Sequence, residues 1–307
     1  MHEERLLPTV KQLRFLIALD DCRHFSQAAK ACFISQSAFS IAIKELETKL
    51  QVQLVDRTNR SVAFTEIGRA TVDQARICIL DMETLVNIAT SHHAPLSGKL
   101  TLGVIPTIAP FLLPTILPEI ESCFPELQLY LREEKSQLAY EQLMSGKLDL
   151  ILIAVPYDMK GVETLTLYKD PFLFACRKKS RWVKAAQSPV NIKTLPDESV
   201  LLLDDGHCLR DHALQACRLN DSEQISRFAA TSLQTLLQMV SSDLGVTFIP
   251  SMAKDSLIVK GSNIELHPMP TGSYREIGLV WRKDSAREDE FRLLGALIAD
   301  LHHREIV

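Results

Sequence analysis

The sequence predicts a small helical domain closed by a β-hairpin, a long connecting helix, and an α/β domain of two lobes. Three observations lead there. Short apolar stripes with helical spacing crowd into residues 9–49. One unbroken helical pattern then runs from Glu66 to about Thr90. Beyond residues 91–98, apolar runs of strand length alternate with helical segments, the mark of an α/β domain with mostly parallel sheet. The chain has 307 residues. Domains usually take about 100–200, so two or three are expected.

The elements follow in order. Residues 9–22 form a first helix, with Val10, Leu13, Leu16 and Leu19 on one face. Ser26 is suited to cap a second, short helix over 27–32. Ser35 is suited to cap a third, from Gln36 to about Lys49. In it Phe39, Ile43 and Leu46 face inward, and Gln36, Ser37, Ser40 and Lys44 face out. Leu54-Val55 and Val62-Ala63-Phe64 flank the polar stretch Asp56-Arg57-Thr58-Asn59-Arg60 and read as a hairpin. Thr65 caps the long helix. Its apolar positions Ile67, Ala70, Ile77, Leu80, Leu85 and Ile88 suit pairing with another helix. In the second part, strands are expected at 99–105, 127–132, 148–154, 200–203, 246–249 and 277–281. Helices are expected at 109–122, 136–145, 208–218, 232–241 and 287–304. The domain organisation is therefore 1–65, a linker helix and hinge over 66–98, and 99–307.

Composition excludes several function classes. Hydrophobic residues make up 46% and charged residues 23%, ordinary globular usage. The net charge is −4. Residues 1–95 carry eleven basic and eleven acidic side chains, so any nucleic-acid-binding face must be a local cluster. Glu3 and Glu4 stand where a secretory leader is basic, and no run of eighteen apolar residues occurs. A cytoplasmic chain without a membrane partner is expected. The seven cysteines are scattered and odd in number, which argues against a disulfide framework. Cys22, Cys32, Cys78, Cys123 and Cys176 read as packing residues. His92-His93 and His302-His303 lack metal-ligand spacing and read as solvated surface, so no metal is expected. No Walker A, GxGxxG or GxSxG motif is present, and no cofactor is expected.

Two segments carry chemistry. The first is the tri-helical unit 9–49. A helix-turn-helix places its second helix in the major groove. Gln36 can then pair with adenine, and Ser35, Ser37 and Ser40 serve as adaptable partners. Lys44, Arg57 and Arg60 are suited to phosphates. A plain helical cap with solvated polar faces would look similar. The second is Asp204-Asp205-Gly206-His207-Cys208-Leu209-Arg210-Asp211-His212-Ala213-Leu214-Gln215-Ala216-Cys217. Nearby cations or a helix N-terminus lower a thiol's pKa, and His207 and Arg210 flank Cys208 at a predicted helix start. Two core cysteines on one helix remain the alternative reading.

The stretch Phe25-Ser26-Gln27-Ala28-Ala29 through Ser35-Gln36-Ser37-Ala38-Phe39-Ser40 to Leu46-Glu47 resembles the signature of LysR-type regulators. The 54–65 hairpin resembles that family's wing. The resemblance continues in Gly146-Lys147-Leu148-Asp149, in Asp243-Leu244-Gly245-Val246 and in Ile249-Pro250. It implies a winged helix-turn-helix domain plus an α/β two-lobed, periplasmic-binding-protein-like regulatory domain. It also implies a double-stranded DNA operator, a homo-oligomer built as a dimer of dimers, and room for a contact with RNA polymerase. The sequence departs from the family at Ser37 (usually proline), Ala42 (usually polar) and Val55 (usually phenylalanine). These bear on operator choice and wing packing.

The 204–217 segment further resembles the redox loop of the family's peroxide-sensing members. So do Ile105-Pro106-Thr107 with Leu112-Leu113-Pro114, the wing Arg57-Thr58-Asn59-Arg60, residues 227–233, and Ile277-Gly278-Leu279-Val280. That resemblance implies hydrogen peroxide as effector, Cys208 as the peroxidatic thiol and Cys217 as its resolving partner. It implies that Thr107 holds peroxide or water and that His207 and Arg275 polarise the site. Ser136 stands where those members have threonine, keeping the hydroxyl and losing the methyl. Were 208–217 helical, nine rises of about 1.5 Å would part the two α-carbons by roughly 13 Å. A disulfide needs them within about 7 Å. The rivals are a LysR-type regulator with a small organic co-inducer, a thiol peroxidase and a solute-binding protein. The last two leave residues 1–95 without a role.

Overall fold

The computed structural model describes residues 7–57, 62–89, 95–183, 195–217, 219 and 223–306. The chain divides into two compact units, residues 1–93 with 142–147 and residues 94–141 with 148–307.

In the first unit, α1 (Val10–Cys22) opens on a capping box. Thr9 Oγ1 accepts from the Gln12 N–H at 3.2 Å, and Gln12 Oε1 accepts from the Thr9 N–H at 3.0 Å. Its buried face is Phe15, Leu16 and Leu19, while Val10 is left exposed. The cap of α2 (Phe25–Ala31) is His24, not Ser26: the ring Nδ1 accepts from the Ser26 N–H, so the helix starts two residues early. Ser35 caps α3 (Gln36–Leu50) as expected. Phe39 packs tilted against Phe15 at 5.2 Å and meets Phe25 edge-on at 6.1 Å, which fixes α3 against its neighbours.

The hairpin forms as β1 (Val55–Arg57) and β2 (Val62–Phe64), antiparallel, with Val55 opposite Phe64 and both buried in the tri-helical core. Thr65 caps α4 (Glu66–Ala89), its Oγ1 accepting from the Gly68 N–H at 2.9 Å. Gly68 has no substitute here, because a Cβ would lie 2.0 Å from the Leu54 carbonyl oxygen. The buried residues of α4, among those described, are Gly68, Val72 and Ala75, while Ile67, Met82, Leu85 and Val86 are exposed. The apolar stripe expected on this helix is thus largely uncovered within one chain. Arg76 of α4 ties the helix to α1 by bonding Asp20 at 2.9 Å and Asp21.

The second unit runs β3 (Gly98–Val104), α5 (Ala109–Cys123), β4 (Leu127–Glu133), α6 (Ser136–Met144), β5 (Leu150–Val155) and β6 (Val162–Arg177). It continues as β7 (Val200–Leu203), α7 (Cys208–Cys217), β8 (Ile225–Ala230), α8 (Leu233–Ser241) and β9 (Thr247–Pro250). It ends with α9 (Leu257–Lys260), β10 (Ile264–Pro268), β11 (Tyr274–Arg282) and α10 (Glu288–Ile306). Ser232, expected as the first residue of a helix over 232–241, is instead the cap of α8.

The sheet differs from the mostly parallel one anticipated. β3 pairs β4 and β5 in parallel, and β7 pairs β8 in parallel, but β11 runs antiparallel to β5 and β6, and β6 antiparallel to β9 and β10. The cause is β6, a strand absent from the sequence reading. Its first part joins the β4-β3-β5-β11 layer, and residues 172–177 pass into a second layer with β9 and β10. Two lobes therefore share one strand. Phe172, Phe174, Phe248, Val200 and Leu202 form the second lobe's core, and Leu209 and Ala213 of α7 pack into it.

Candidate redox site and DNA-reading face

Gly206, with φ of 89°, turns the chain from β7 into α7. The first residue of that helix is Cys208, only 2% exposed. Cys217 is the last residue of the same helix; its side chain lies outside the described residues. An intact helix over 208–217 parts the two α-carbons by about 13 Å.

Arg275 of β11 is the charged centre of the site, and its side chain is fully buried. Nε donates to Asp170 Oδ2 at 3.0 Å, Nη1 to Thr107 Oγ1 at 3.0 Å, and Nη2 to the Thr107 carbonyl at 2.9 Å. Asp170 Oδ1 accepts from Ser251 Oγ at 3.0 Å and from the Met252 N–H at 3.1 Å. A buried ion pair is tolerable when its remaining valences are met in this way. Ser136, the first residue of α6, is 1% exposed, and its hydroxyl bonds toward the Cys208 sulfur, whose thiolate it favours. It makes no other hydrogen bond among the described residues, which leaves hydrogen-bonding capacity for a small polar molecule.

Burial pushes the Cys208 thiol above its ordinary pKa, against the pull of the Ser136 hydroxyl, the Arg275 charge and the Ala154 backbone. This corrects the expectation that His207 and Arg210 would activate the sulfur. His207 is buried and its Nε2 lies 3.2 Å from Asp204 Oδ1, which Lys135 also binds. Burial, with Lys135 beside it, lowers the pKa of that imidazole and keeps it neutral. Arg210 is spent on the Leu203 carbonyl at 3.1 Å and on Asp205. The structure thus sets Ser136, Arg275 and the Ala154 backbone around the thiol, ties Thr107 to Arg275, and places His207 beside the Asp204 carboxylate. Asp170, which neutralises Arg275, was missed in the sequence. Its signal was an acid inside an apolar run, Asp170-Pro171-Phe172-Leu173-Phe174.

The remaining cysteines contrast with this setting. Cys176 is buried and pushed up to about 11 by that burial, which keeps it protonated. Cys22, Cys32 and Cys78 are half-buried, but Cys123 is exposed and is not a packing residue. His302 stacks on Tyr168 at 3.6 Å, so it is a packing residue rather than solvated surface; His303 is exposed, and His92-His93 lie outside the described residues. Among the described residues no cluster of His, Cys, Asp and Glu fits a metal ion, and no helix is long and apolar enough to cross a membrane.

On α3, Gln36, Ser37 and Lys44 are exposed and Ser40 is half-buried. Ser35 is occupied as a cap, its Oγ accepting from the Ala38 N–H at 3.2 Å and lying 3.1 Å from Ser37 Oγ. Arg57 belongs to β1; its side chain, like all of Arg60, lies outside the described residues.

Comparison with known proteins completes the assignment. Residues 10–69 match the model of the bacterial regulatory helix-turn-helix proteins of the lysR family, and residues 93–302 match the LysR substrate binding domain. The chain is 35% identical to the HTH-type transcriptional regulator EstR of Acinetobacter baylyi, covering 96% of this chain and 99% of that protein. It is 36% identical to the DNA-binding transcriptional dual regulator OxyR of Escherichia coli, covering 94% of each. Its fold superposes on a full-length OxyR variant of Pseudomonas aeruginosa with a TM-score of 0.81 at 30% identity, over 95% of each chain. A helix-turn-helix with a hairpin wing, a long helix and a two-lobed α/β domain, matched by family models over residues 10–69 and 93–302, make this chain a member of the LysR family of DNA-binding transcription regulators.

Proposed function

We propose that the chain is a cytoplasmic, peroxide-responsive regulator of antioxidant genes whose switch is a reversible disulfide between Cys208 and Cys217. The observation that carries this reading is the setting of Cys208. It is buried at the head of α7, beside the Ser136 hydroxyl and within the field of Arg275, which Thr107 binds, with the second cysteine at the far end of the same helix. The Cys208 thiolate attacks one oxygen of hydrogen peroxide; an S–O bond forms, the O–O bond breaks, and the other oxygen leaves as water after taking a proton. Cys217 then attacks the sulfenic sulfur, the S–S bond forms, and the hydroxyl leaves as a second water. Cysteine sulfur is oxidised and peroxide reduced. Thr107 and Ser136 hold the oxygens, and Arg275 offsets negative charge on the sulfur.

The second step cannot occur on an intact helix, since about 13 Å separates α-carbons that must come within about 7 Å. Closure of the disulfide therefore dismantles α7, and the change reorients subunits of a homotetramer through α4 and alters DNA and RNA polymerase contacts. Gln36, Ser37, Ser40 and Lys44 on α3, with Arg57 and Arg60 on the wing, meet the operator, while Ser35 fixes the start of the helix. The test is mass spectrometry after one equivalent of peroxide, with DNA footprints before and after. A rapid Cys208–Cys217 disulfide with altered footprints is expected. Unselective oxidation, or identical footprints with Cys208 oxidised, would overturn the reading.

A second reading has one observation in its favour. A cavity of about 680 Å³ is lined by Val155, Pro156, His212, Gln215, Ala216 and residues 269–276, room enough for a small organic co-inducer. It requires the response to survive Cys208→Ser.

A further inference from the structure

We propose that His212 is a positioning residue that latches α7 in its helical dithiol form and so sets how fast a Cys208 sulfenic acid reaches Cys217. The inference rests on the disulfide reading above and adds to it the element that resists closure.

His212 lies between the two cysteines on α7 and is 7% exposed. Its Nε2 is 2.9 Å from the Pro156 carbonyl oxygen. A carbonyl only accepts, so Nε2 carries the hydrogen and donates it. Pro156 follows β5 directly. Every residue of β5 is buried, and the strand is paired to β3 on one side and β11 on the other. The bond therefore fastens the middle of a switchable helix to the end of a buried strand paired on both sides in the first lobe.

The rest of the environment makes this tie the significant one. With Nε2 as donor, Nδ1 is a bare acceptor, and it is buried without a partner. Burial lowers the ring's pKa, with the Arg275 guanidinium acting in the same direction and the Pro156 bond and Asp211 against it, so the neutral ring is favoured. Among the described residues, Arg210 makes another side-chain bond from α7 to a backbone carbonyl, but it reaches only Leu203, seven residues back, in the strand that leads into the same turn. His212 bridges 56 residues of sequence. Beside the C-terminal half of α7, the cavity of about 680 Å³ borders Gln215 and Ala216. On its cavity side the helix has room to move, while Leu209, Ala213, Leu214 and Ala216 pack it against the second lobe's core; the His212–Pro156 bond adds a polar tie to the first lobe.

The two chemical steps separate the latch from the sulfur chemistry. In the full-length protein, sulfenic acid formation is timed in a Cys217→Ser background, and disulfide closure is timed with both cysteines present. His212→Ala is expected to close the disulfide roughly 2- to 10-fold faster, the range set by loss of one hydrogen bond, with the peroxide step unchanged. His212→Gln keeps an N–H donor on a side chain of similar reach and is expected to restore the native closure rate. Amide exchange in the dithiol state is expected to speed up across α7 and to stay constant in β5. Closure in His212→Ala at or below the native rate overturns the proposal, as does equal acceleration in His212→Gln. Should His212→Ala not fold, His212→Asn, too short to reach the carbonyl, takes its place against His212→Gln with the same two outcomes. Absence of any Cys208–Cys217 disulfide in the unaltered protein would instead refute the switch itself.

Discussion

Replacing Asp170 by alanine isolates the charge at the centre of the site. Asp170 and Arg275 are both essentially buried, and the carboxylate is the acid that the guanidinium touches, at 3.0 Å. The substitution leaves a buried cation whose remaining partners, Thr107 and Met252, are neutral. Removing one member of a buried pair costs about 3–5 kcal/mol. In a domain of about 150–250 residues each kcal/mol is worth about 2–4 °C, so Tm should fall by roughly 6–20 °C. Arg275→Met in the same chain removes the stranded charge and should recover most of that loss, giving a strongly non-additive double-mutant cycle. A second readout comes from sulfur. With Asp170 gone, the Arg275 charge acts undiluted on Cys208, so its thiol should ionise at lower pH than in the native protein. Thermal and denaturant unfolding of the four cycle members, with thiolate absorbance titrated on each folded one, measure both effects. A loss below about 1 kcal/mol with additive single mutants would refute the argument that the pair is desolvated.

Four further outcomes follow from the same structure. Burial raises the Cys208 pKa, so the thiolate is the minor form at neutral pH and its fraction grows with alkalinity; the peroxide rate should climb with pH past 9, and Ser136→Ala should lower it at every pH below that rise. Gly68→Ala would set a Cβ 2.0 Å from the Leu54 carbonyl and should destabilise the winged domain by about 1–3 kcal/mol, read from its unfolding. Leu85→Asp with Val86→Asp, on the exposed face of α4, should shift the protein toward monomer in sedimentation without changing the Tm of the α/β domain. Gln36→Ala should relax base preference at one operator position by about 1–3 kcal/mol, while Lys44→Ala should weaken binding to all sequences alike and flatten its salt dependence.

Much of this was legible locally. Ser35 and Thr65 each cap the helix that follows, because a hydroxyl beside the first turn has a nearby N–H to accept. Phe39, Ile43 and Leu46 are buried because helical spacing puts them on one face. The recognition helix, the wing and the cysteine-bearing helix were readable for that reason, and the family resemblance rested on them. Where two local rules competed the reading slipped. His24 took the cap that Ser26 was expected to hold, since its ring nitrogen reaches the same backbone N–H from two residues earlier.

Tertiary structure decided the rest, and the reason is range. β6 carries Asp170 and Pro171 in its middle, which breaks the strand pattern; only pairing with β11, β9 and β10 makes it a strand and turns the sheet mixed. Asp170 and Arg275 are 105 residues apart and His212 and Pro156 are 56 apart, so neither bond leaves a periodic trace in the chain. The same holds for the thiol. The residues flanking Cys208 suggested a lowered pKa, yet the fold buries the sulfur, turns His207 toward Asp204 and Arg210 toward Leu203, and brings in Arg275 from β11. The sequence by itself determined which segments are helices and which cysteines share one. The fold determined what each polar side chain faces, because burial and charge act through space and not along the chain.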